Sequence, residues 1–474
     1  MTRAIAVDIC VIGAGSGGLS VAAGASQMGA KVALIERGPM GGDCLNFGCV
    51  PSKALLAAGH AARRQALAAR FGVMAPPATI DFQRVHDHVH DVIAGIAPHD
   101  SVERFEGLGV AVIQAEGRFT APDRVVAGDT EVVARRFVIA TGSRPMVPPI
   151  TGLDGVPHLT NETIFDLTEA PGHLVIVGGG PIGCELAQAH RRLGARVTVV
   201  EMFSILGNDD PELVDVVRGQ LRAEGVELME RTPVRRVERA GERIAVIVGD
   251  EGAEGRIEGT HLLIAAGRTP NVDGLGLDAA GIAFERRGIM VDARLRTTNR
   301  RVYAIGDVAG PYPFTHTAGY QAGIVIRNIL FRLPAKVDYR ALPWATFTDP
   351  ELAQVGMTEA KAREAGERIR VLRAPFAEID RARAEREIEG FVKVVTTARG
   401  RILGAGIVGP AAGDLLQPWE LAIRAKLKIG ALAGLIVPYP TLAEINKRAA
   451  GSFYAARLFG EGTRKIVRFL ARFG

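Results

Sequence analysis

The strongest constraint on the fold is a repeat. Residues 9–19, "ICVIGAGSGGL", run from an apolar stretch into Gly13-x-Gly15-x-x-Gly18, and residues 173–187, "HLVIVGGGPIGCELA", do the same with Gly178-x-Gly180-x-x-Gly183. Each leads into a helical stretch, a "GA" turn and a second apolar strand ending in Glu36 or Glu201, and a constant shift of 165 residues relates the two copies. A single GxGxxG is an ordinary glycine turn as often as not; two in register, each with an acid 23 residues on, are not. The glycines let backbone N–H groups approach a pyrophosphate at a helix N-terminus, and the acid takes the ribose hydroxyls. The expected class is α/β, with two doubly wound, Rossmann-like dinucleotide-binding domains. Glu201 repels a 2′-phosphate and residues 202–210, "MFSILGNDD", offer no arginine to attract one, so NADH is expected at the second fingerprint rather than NADPH.

A chain of 474 residues has room for about three such domains. Its four cysteines (Cys10, Cys44, Cys49 and Cys184) are too few for a secreted disulfide framework. The start resembles no signal peptide, and no apolar run of membrane-spanning length occurs. These features point to the cytoplasm, where a cysteine pair is more often catalytic than structural. The net charge of +5 is concentrated at one end: residues 446–474 carry seven Lys/Arg against Glu461 alone, so the basic balance is no sign of nucleic-acid binding by the whole chain.

Two of the cysteines fall within "GGDCLNFGCVPSK", residues 41–53. On an ideal helix five residues advance about 7.5 Å, beyond the roughly 4.4–6.8 Å that a disulfide tolerates between Cα atoms. A bond from Cys44 to Cys49 therefore needs a bent backbone, for which Gly41, Gly42 and Gly48 are at hand. Strained disulfides are the easily reduced, catalytic kind. Lys53, four residues past Cys49, lies one turn along the same face of a helix.

Together these motifs resemble the class I pyridine nucleotide–disulfide oxidoreductases, a family that includes dihydrolipoamide dehydrogenase, glutathione reductase and mercuric reductase. "GGDCLNFGCVPSK" is similar to the family's redox helix, "ATGSRP" (140–145) and "AAGRTPN" (265–271) to its domain-crossing segments, "VYAIGDVAG" (302–310) to its second flavin motif, and "PWATFTDPELAQVGMTEAKA" (343–362) to the start of its dimerisation domain. The resemblance implies an FAD domain split between 1–150 and 271–341, an inserted NAD domain at 151–270, and an α+β dimerisation domain at 342–474. It implies a homodimer whose substrate pocket uses both subunits. Gly13, Gly15, Gly18, Glu36, Gly42, Thr141, Gly142, Asp307 and Ala318 would hold FAD, and Gly178, Gly180, Gly183, Glu201 and Gly267 would hold NAD(H). Electrons would pass from NADH through the flavin to a Cys44–Cys49 disulfide. Cys49 would be the flavin-side thiolate and Cys44 the thiol that exchanges with substrate. Lys53 would pair with Glu185, and His316-Thr317-Ala318 would open a helix whose positive end faces the flavin.

The pattern breaks at "VPYPTLAEINK" (437–447): relatives that reduce disulfides carry His-Pro-Thr-x-x-Glu there, with the histidine as general acid/base, and this chain has Tyr439 in its place while keeping Glu444. A phenol with a pKa near 10 is a poor base at neutral pH where an imidazole near 6.5 is a good one. Tyrosine in this region leans toward mercuric reductase, yet no cysteine follows Cys184 to relay a metal ion. Asp43 replaces the commoner threonine and, close to Cys44, would disfavour its thiolate. The acceptor is accordingly expected to be atypical: a small disulfide, a quinone or a metal ion. A reading from a different class is a non-catalytic flavoprotein subunit at a membrane.

Two stretches lie outside the redox pattern. In "VHDHVHD" (85–91), His86 and His90 fall at i, i+4, most simply as part of a solvated helix, and no metal ligand set is expected. In 463–474, "TRKIVRFLARFG", Ile466, Phe469, Leu470 and Phe473 share one helical face and Arg464, Arg468 and Arg472 the other. Such a helix docks on the dimer or lies on anionic lipid, which would make the protein peripheral to the inner face of the membrane.

Overall fold

An apolar run with no polar alternation suits a strand covered on both faces, and Ile9–Ile12 are all buried at the end of strand Arg3–Ile12. That strand lies between two parallel neighbours, Val32–Glu36 and Thr130–Ile139. Ala111–Gln114 extends the sheet beyond Val32–Glu36, and Val302–Ala304 joins the far end of Thr130–Ile139, again in parallel. A hairpin of Gly117–Ala121 and Arg124–Ala127 continues the sheet antiparallel. The computed structural model describes residues 3–250 and 252–473. They fall into two units: one runs to Gly179 and includes Ala189–Met202 and Thr232–Val337, and the other holds Gly180–Gln188, Phe203–Arg231 and the chain from Asp338 on.

In the first unit the turn after the central strand requires glycine. Gly13 has φ +106°, and a Cβ there would sit 2.4 Å from the Ala140 carbonyl oxygen; at Gly18 it would sit 1.8 Å from the Gly13 carbonyl oxygen. The helix Ser16–Gln27 can therefore press directly on the strand end. A second parallel group, Arg196–Val200, His173–Val177 and His261–Ile264, repeats the construction, with Gly178 at φ +114° and 2.3 Å from Ala265 O by the same measure. The repeat extends to single hydrogen bonds. Glu36 Oε2 accepts from the Ala14 N–H at 2.6 Å, and Glu201 Oε2 from the Gly179 N–H at 2.7 Å. The segments Ser143–Pro145 and Arg268–Pro270 pair with each other as a two-stranded antiparallel ribbon.

The second unit is built on a five-stranded antiparallel sheet in the order Pro343–Thr346, Glu351–Gly356, Ile402–Gly409, Phe391–Thr397, Ile369–Pro375. Helices Gln417–Arg424 and Glu444–Leu458 close its core around Trp419, whose indole N–H donates to Asn446 Oδ1 at 2.7 Å. This sheet with its helices is the α+β domain expected from the sequence.

Lys393, only 4% exposed, is held by Asp210 (2.8 Å), Glu212 (2.7 Å) and Glu359 (3.0 Å). Without Lys393 the buried Asp210 carboxylate loses its cation, whereas Glu212 keeps Arg373 at 2.7 Å and Glu359 keeps Arg363 at 2.6 Å. Lys393→Met is therefore expected to destabilise this unit by about 3–5 kcal/mol, read as a lowered unfolding midpoint in urea.

Candidate active site

The backbone solves the spacing of the two cysteines with a break. Cys44 lies in the short helix Gly42–Asn46, and Cys49 opens the nineteen-residue helix Cys49–Leu67. Between them Gly48 leaves helical geometry at φ −130°, ψ −108°, while Gly41 and Gly42 take positive φ of 90° and 61°. Both thiols are free. The Cys44 S–H donates to Cys49, which raises Cys44 above the ordinary thiol range, with burial adding to the effect. The same bond is the main cause that lowers Cys49 to about 6, helped by Thr315 and the Lys53 ammonium and opposed by burial and by Asp43. Position at a helix N-terminus favours the thiolate in the same sense. Thr315 Oγ1 lies 3.4 Å from Cys49 Sγ, so the start of helix Thr315–Ile329, which contains His316, Thr317 and Ala318, abuts the cysteine pair.

Lys53 sits one turn along the helix from Cys49, as its spacing predicts, and its Nζ is 3.4 Å from Ser52 Oγ. Asp43 faces Arg268 at 3.0 Å and accepts from Asn161 Nδ2 at 3.1 Å. The sequence expectation concerns Cys44; in the structure the Asp43 charge opposes the Cys49 thiolate. Asp43→Thr is expected to move the Cys49 thiolate midpoint downward, measured as the pH profile of iodoacetamide alkylation at Cys49 in the reduced protein, resolved by mass spectrometry.

Arg268 also donates to the Ser143 hydroxyl (2.7 Å) and carbonyl (2.8 Å), and Ser143 Oγ donates to Asp307 Oδ2 at 2.5 Å. Burial pushes Asp307 above the usual carboxylate range, against the pull of Ser143 and Arg268. Thr141 Oγ1 donates to the Asn271 carbonyl at 2.8 Å, and Gly142 has φ +65°. Ser143, Asn161, Arg268 and Thr315 were not anticipated from the sequence. Their signal was adjacency, since Ser143 and Arg268 lie inside the crossing segments and Thr315 directly precedes His316.

These residues fit FAD. No side chain caps helix Ser16–Gln27, so its first N–H groups are left for an anion, and nothing lies within 4 Å of where a Gly15 Cβ would be. Gly42 must lack a Cβ as well, because one would meet Gly15 Cα at 2.7 Å. At the second fingerprint Gly180 is similarly open, Gly183 lies in helix Pro181–Arg192, and Gly267 has φ +118°.

In the second unit Glu185 is buried and accepts from the Phe347 N–H at 2.9 Å. Tyr439 is 70% exposed, and its hydroxyl donates to Asp380 Oδ2 at 3.0 Å, which raises the phenol above its ordinary pKa. Glu444 Oε2 accepts from the Thr441 N–H at 3.3 Å.

Two family models account for most of the chain: "Pyridine nucleotide-disulphide oxidoreductase" over residues 7–322, and the dimerisation domain of the same name over 342–450. The chain belongs to the pyridine nucleotide–disulphide oxidoreductase family. Members are flavoenzymes that use FAD with NAD(P)H, and the dimerisation domain makes this one a homodimer. Mercuric reductase of Streptomyces lividans is 37% identical over 455 residues, covering 94% of this chain and 96% of that protein. Dihydrolipoyl dehydrogenase of Staphylococcus aureus is 36% identical over 454 residues with the same coverages. Among solved structures, LpdA of Mycobacterium tuberculosis has a TM-score of 0.86 at 28% identity, covering 94% of this chain and 99% of its own. The Cu(II) complex of the HOCl-induced flavoprotein disulfide reductase RclA of Escherichia coli has 0.84 at 30%, covering 93% and 99%. No helix among the described residues of this oxidoreductase is long and apolar enough to cross a membrane.

Proposed function

We propose that this flavoprotein takes an electron pair from NADH and stores it on Cys44 and Cys49 before passing it to an acceptor other than lipoamide or glutathione disulfide. The observation that carries the reading is the asymmetric thiol pair, with Cys49 lowered to about 6 and Cys44 held protonated against it. In this reading 1–150 and 271–341 bind FAD, 151–270 binds NADH and 342–474 forms the dimer. Bound FAD supplies the two-electron relay between nicotinamide and disulfide. Gly13, Gly15, Gly18, Glu36 and Asp307 hold it, and Glu201 selects NADH by excluding a 2′-phosphate.

The residues divide the remaining work. Cys49 keeps its negative charge because Cys44, Thr315 and Lys53 stabilise it. Glu185 is the proposed counter-charge for Lys53. Reduction of the disulfide by NADH releases NAD+ and yields one thiol on Cys44 and one thiolate on Cys49, with no net uptake of a proton. The two electrons of the hydride break the S–S bond, and its proton is balanced by the one thiol formed. Cys44 is the group that meets the acceptor. Tyr439, kept as a phenol by Asp380, binds or orients that acceptor but is a weak general base.

A soft metal ion is the first acceptor to test, since a thiol and thiolate side by side form a soft ligand pair and S. lividans mercuric reductase is among the relatives. A quinone is the second, favoured by the exposed apolar face of helix Glu461–Leu470, which would bring the dimer to a membrane surface. The test is NADH oxidation by the purified holoenzyme with lipoamide, a soluble quinone, Hg(II) or Cu(II) in parallel. Turnover with an ion or a quinone well above that with lipoamide supports the reading, and rapid turnover on lipoamide refutes it.

A further inference from the structure

The chain continues past residue 450, where its match to the dimerisation domain ends, into a further helix. After Glu444–Leu458 the backbone turns at Gly460, and Thr463 Oγ1 donates to the Arg457 carbonyl at 2.7 Å to fix the turn. Helix Glu461–Leu470 then runs with no buried residue. Its two faces are cleanly separated. Ile466, Val467, Phe469, Leu470 and Phe473 are apolar and more than half exposed, with Phe473 at 75%. Arg464, Lys465, Arg468 and Arg472 fill the opposite arc with Glu461 as the single acid. Among the described residues none of these four cations is in an ion pair, whereas Arg448 one helix earlier is matched by Glu378 at 2.7 Å.

We propose that helix Glu461–Leu470, with Phe473, is an interfacial anchor that binds the dimer reversibly to an anionic lipid surface. Apolar side chains enter the boundary between headgroups and acyl chains, while arginines at the edge reach lipid phosphates. The charge decides the occupant. A bare apolar face could meet any apolar surface, but three unmatched cations on a ten-residue helix, Arg472 just beyond it and the +6 charge of residues 446–474 complement a negative one. One short helix holds weakly, and the dimer presents two copies, so the second contact is made at high effective concentration. The inference goes beyond the electron route and holds for any acceptor.

The test uses the purified holoenzyme dimer with phosphatidylcholine vesicles containing about one third phosphatidylglycerol, beside pure phosphatidylcholine, read by co-sedimentation. The wild type is expected to sediment with the anionic vesicles alone and to be released at about 0.5 M salt, where the screening length is about 4 Å. The triple variant Arg464→Gln/Arg468→Gln/Arg472→Gln and the double variant Phe469→Ser/Phe473→Ser are each expected to bind at least about tenfold more weakly. Both should keep their flavin, their dimeric state and NADH oxidation with a soluble quinone. Absence of wild-type binding to the anionic vesicles overturns the proposal. So does dissociation of the dimer in the phenylalanine variant, or strong hydrogen-exchange protection of 461–470 in the lipid-free dimer, because either outcome assigns the apolar face to the partner subunit.

Discussion

Replacing Cys49 with serine is expected to cut NADH-driven reduction of every two-electron acceptor that passes through the cysteines by about 10⁴-fold. Reduction of a one-electron dye that takes electrons directly from the flavin should survive. The size follows from the pair acting as a unit: without Cys49 no disulfide forms, and Cys44 alone can neither accept the electron pair nor be regenerated. Comparing dye turnover with acceptor turnover in the same preparation separates this loss from misfolding. If both fall together, the substitution has damaged the flavin site and the assignment fails. The wild type should show the matching pH dependence. The Cys49 pKa is lowered from 9.0 to about 6, so its thiolate is fully formed above about pH 7 and is lost as the pH falls through about 6. Activity limited by that thiolate should fall on the acid side with a midpoint near 6, well below that of an unperturbed thiol.

The second large effect runs in the opposite direction. Tyr439→His is expected to raise kcat/KM for lipoamide by about 10²-fold, because a positioned imidazole contributes 10²–10⁴ as general acid/base and Glu444 is already in the sequence relationship that the family's histidine–glutamate pair uses. The gain should appear with a pH optimum near the histidine's own pKa, and Tyr439→Phe should not produce it. An unchanged lipoamide rate in the histidine variant would show that the block lies elsewhere, at the exchange thiol or in the shape of the acceptor pocket. Asp380 is the residue to examine next, since it holds the Tyr439 hydroxyl at 3.0 Å and would hold an imidazole differently.

Much of the first unit was legible because its signals are local. A glycine that must adopt positive φ beside a carbonyl 2.4 Å from its missing Cβ leaves a mark at Gly13, and the same mark recurs at Gly178. The acids at Glu36 and Glu201 are fixed in number by the length of the intervening helix and strand, and both close on the backbone N–H one residue past the first glycine. The bend between Cys44 and Cys49 followed from helix geometry once a bond between the two was supposed, and Gly48 supplies it. What could not be read depends on contacts between residues far apart in sequence. Asp43 looked like a hindrance to its neighbour Cys44; nothing local says that Arg268, 225 residues later, would lie 3.0 Å from it. Thr315 is equally remote from Cys49, and the Tyr439–Asp380 bond spans 59 residues with no periodic pattern to announce it. The terminal helix was legible as amphipathic, but only the structure shows that none of its residues is covered within one chain.

The ribbon formed by Ser143–Pro145 and Arg268–Pro270 has a consequence for how the gene can vary. The chain leaves at Pro145 and comes back at Arg268, its direct partner in the ribbon. Everything between them is an excursion whose two ends are already fastened together. Loop-closure entropy rises only slowly with length, so residues can be added to the surface turns of that excursion, or removed from them, while Val302–Ala304 still finds Phe137–Ile139 in the first sheet. Surface turns within 146–267 are thus where length changes, tags and fused sensors should be accommodated with the first sheet intact.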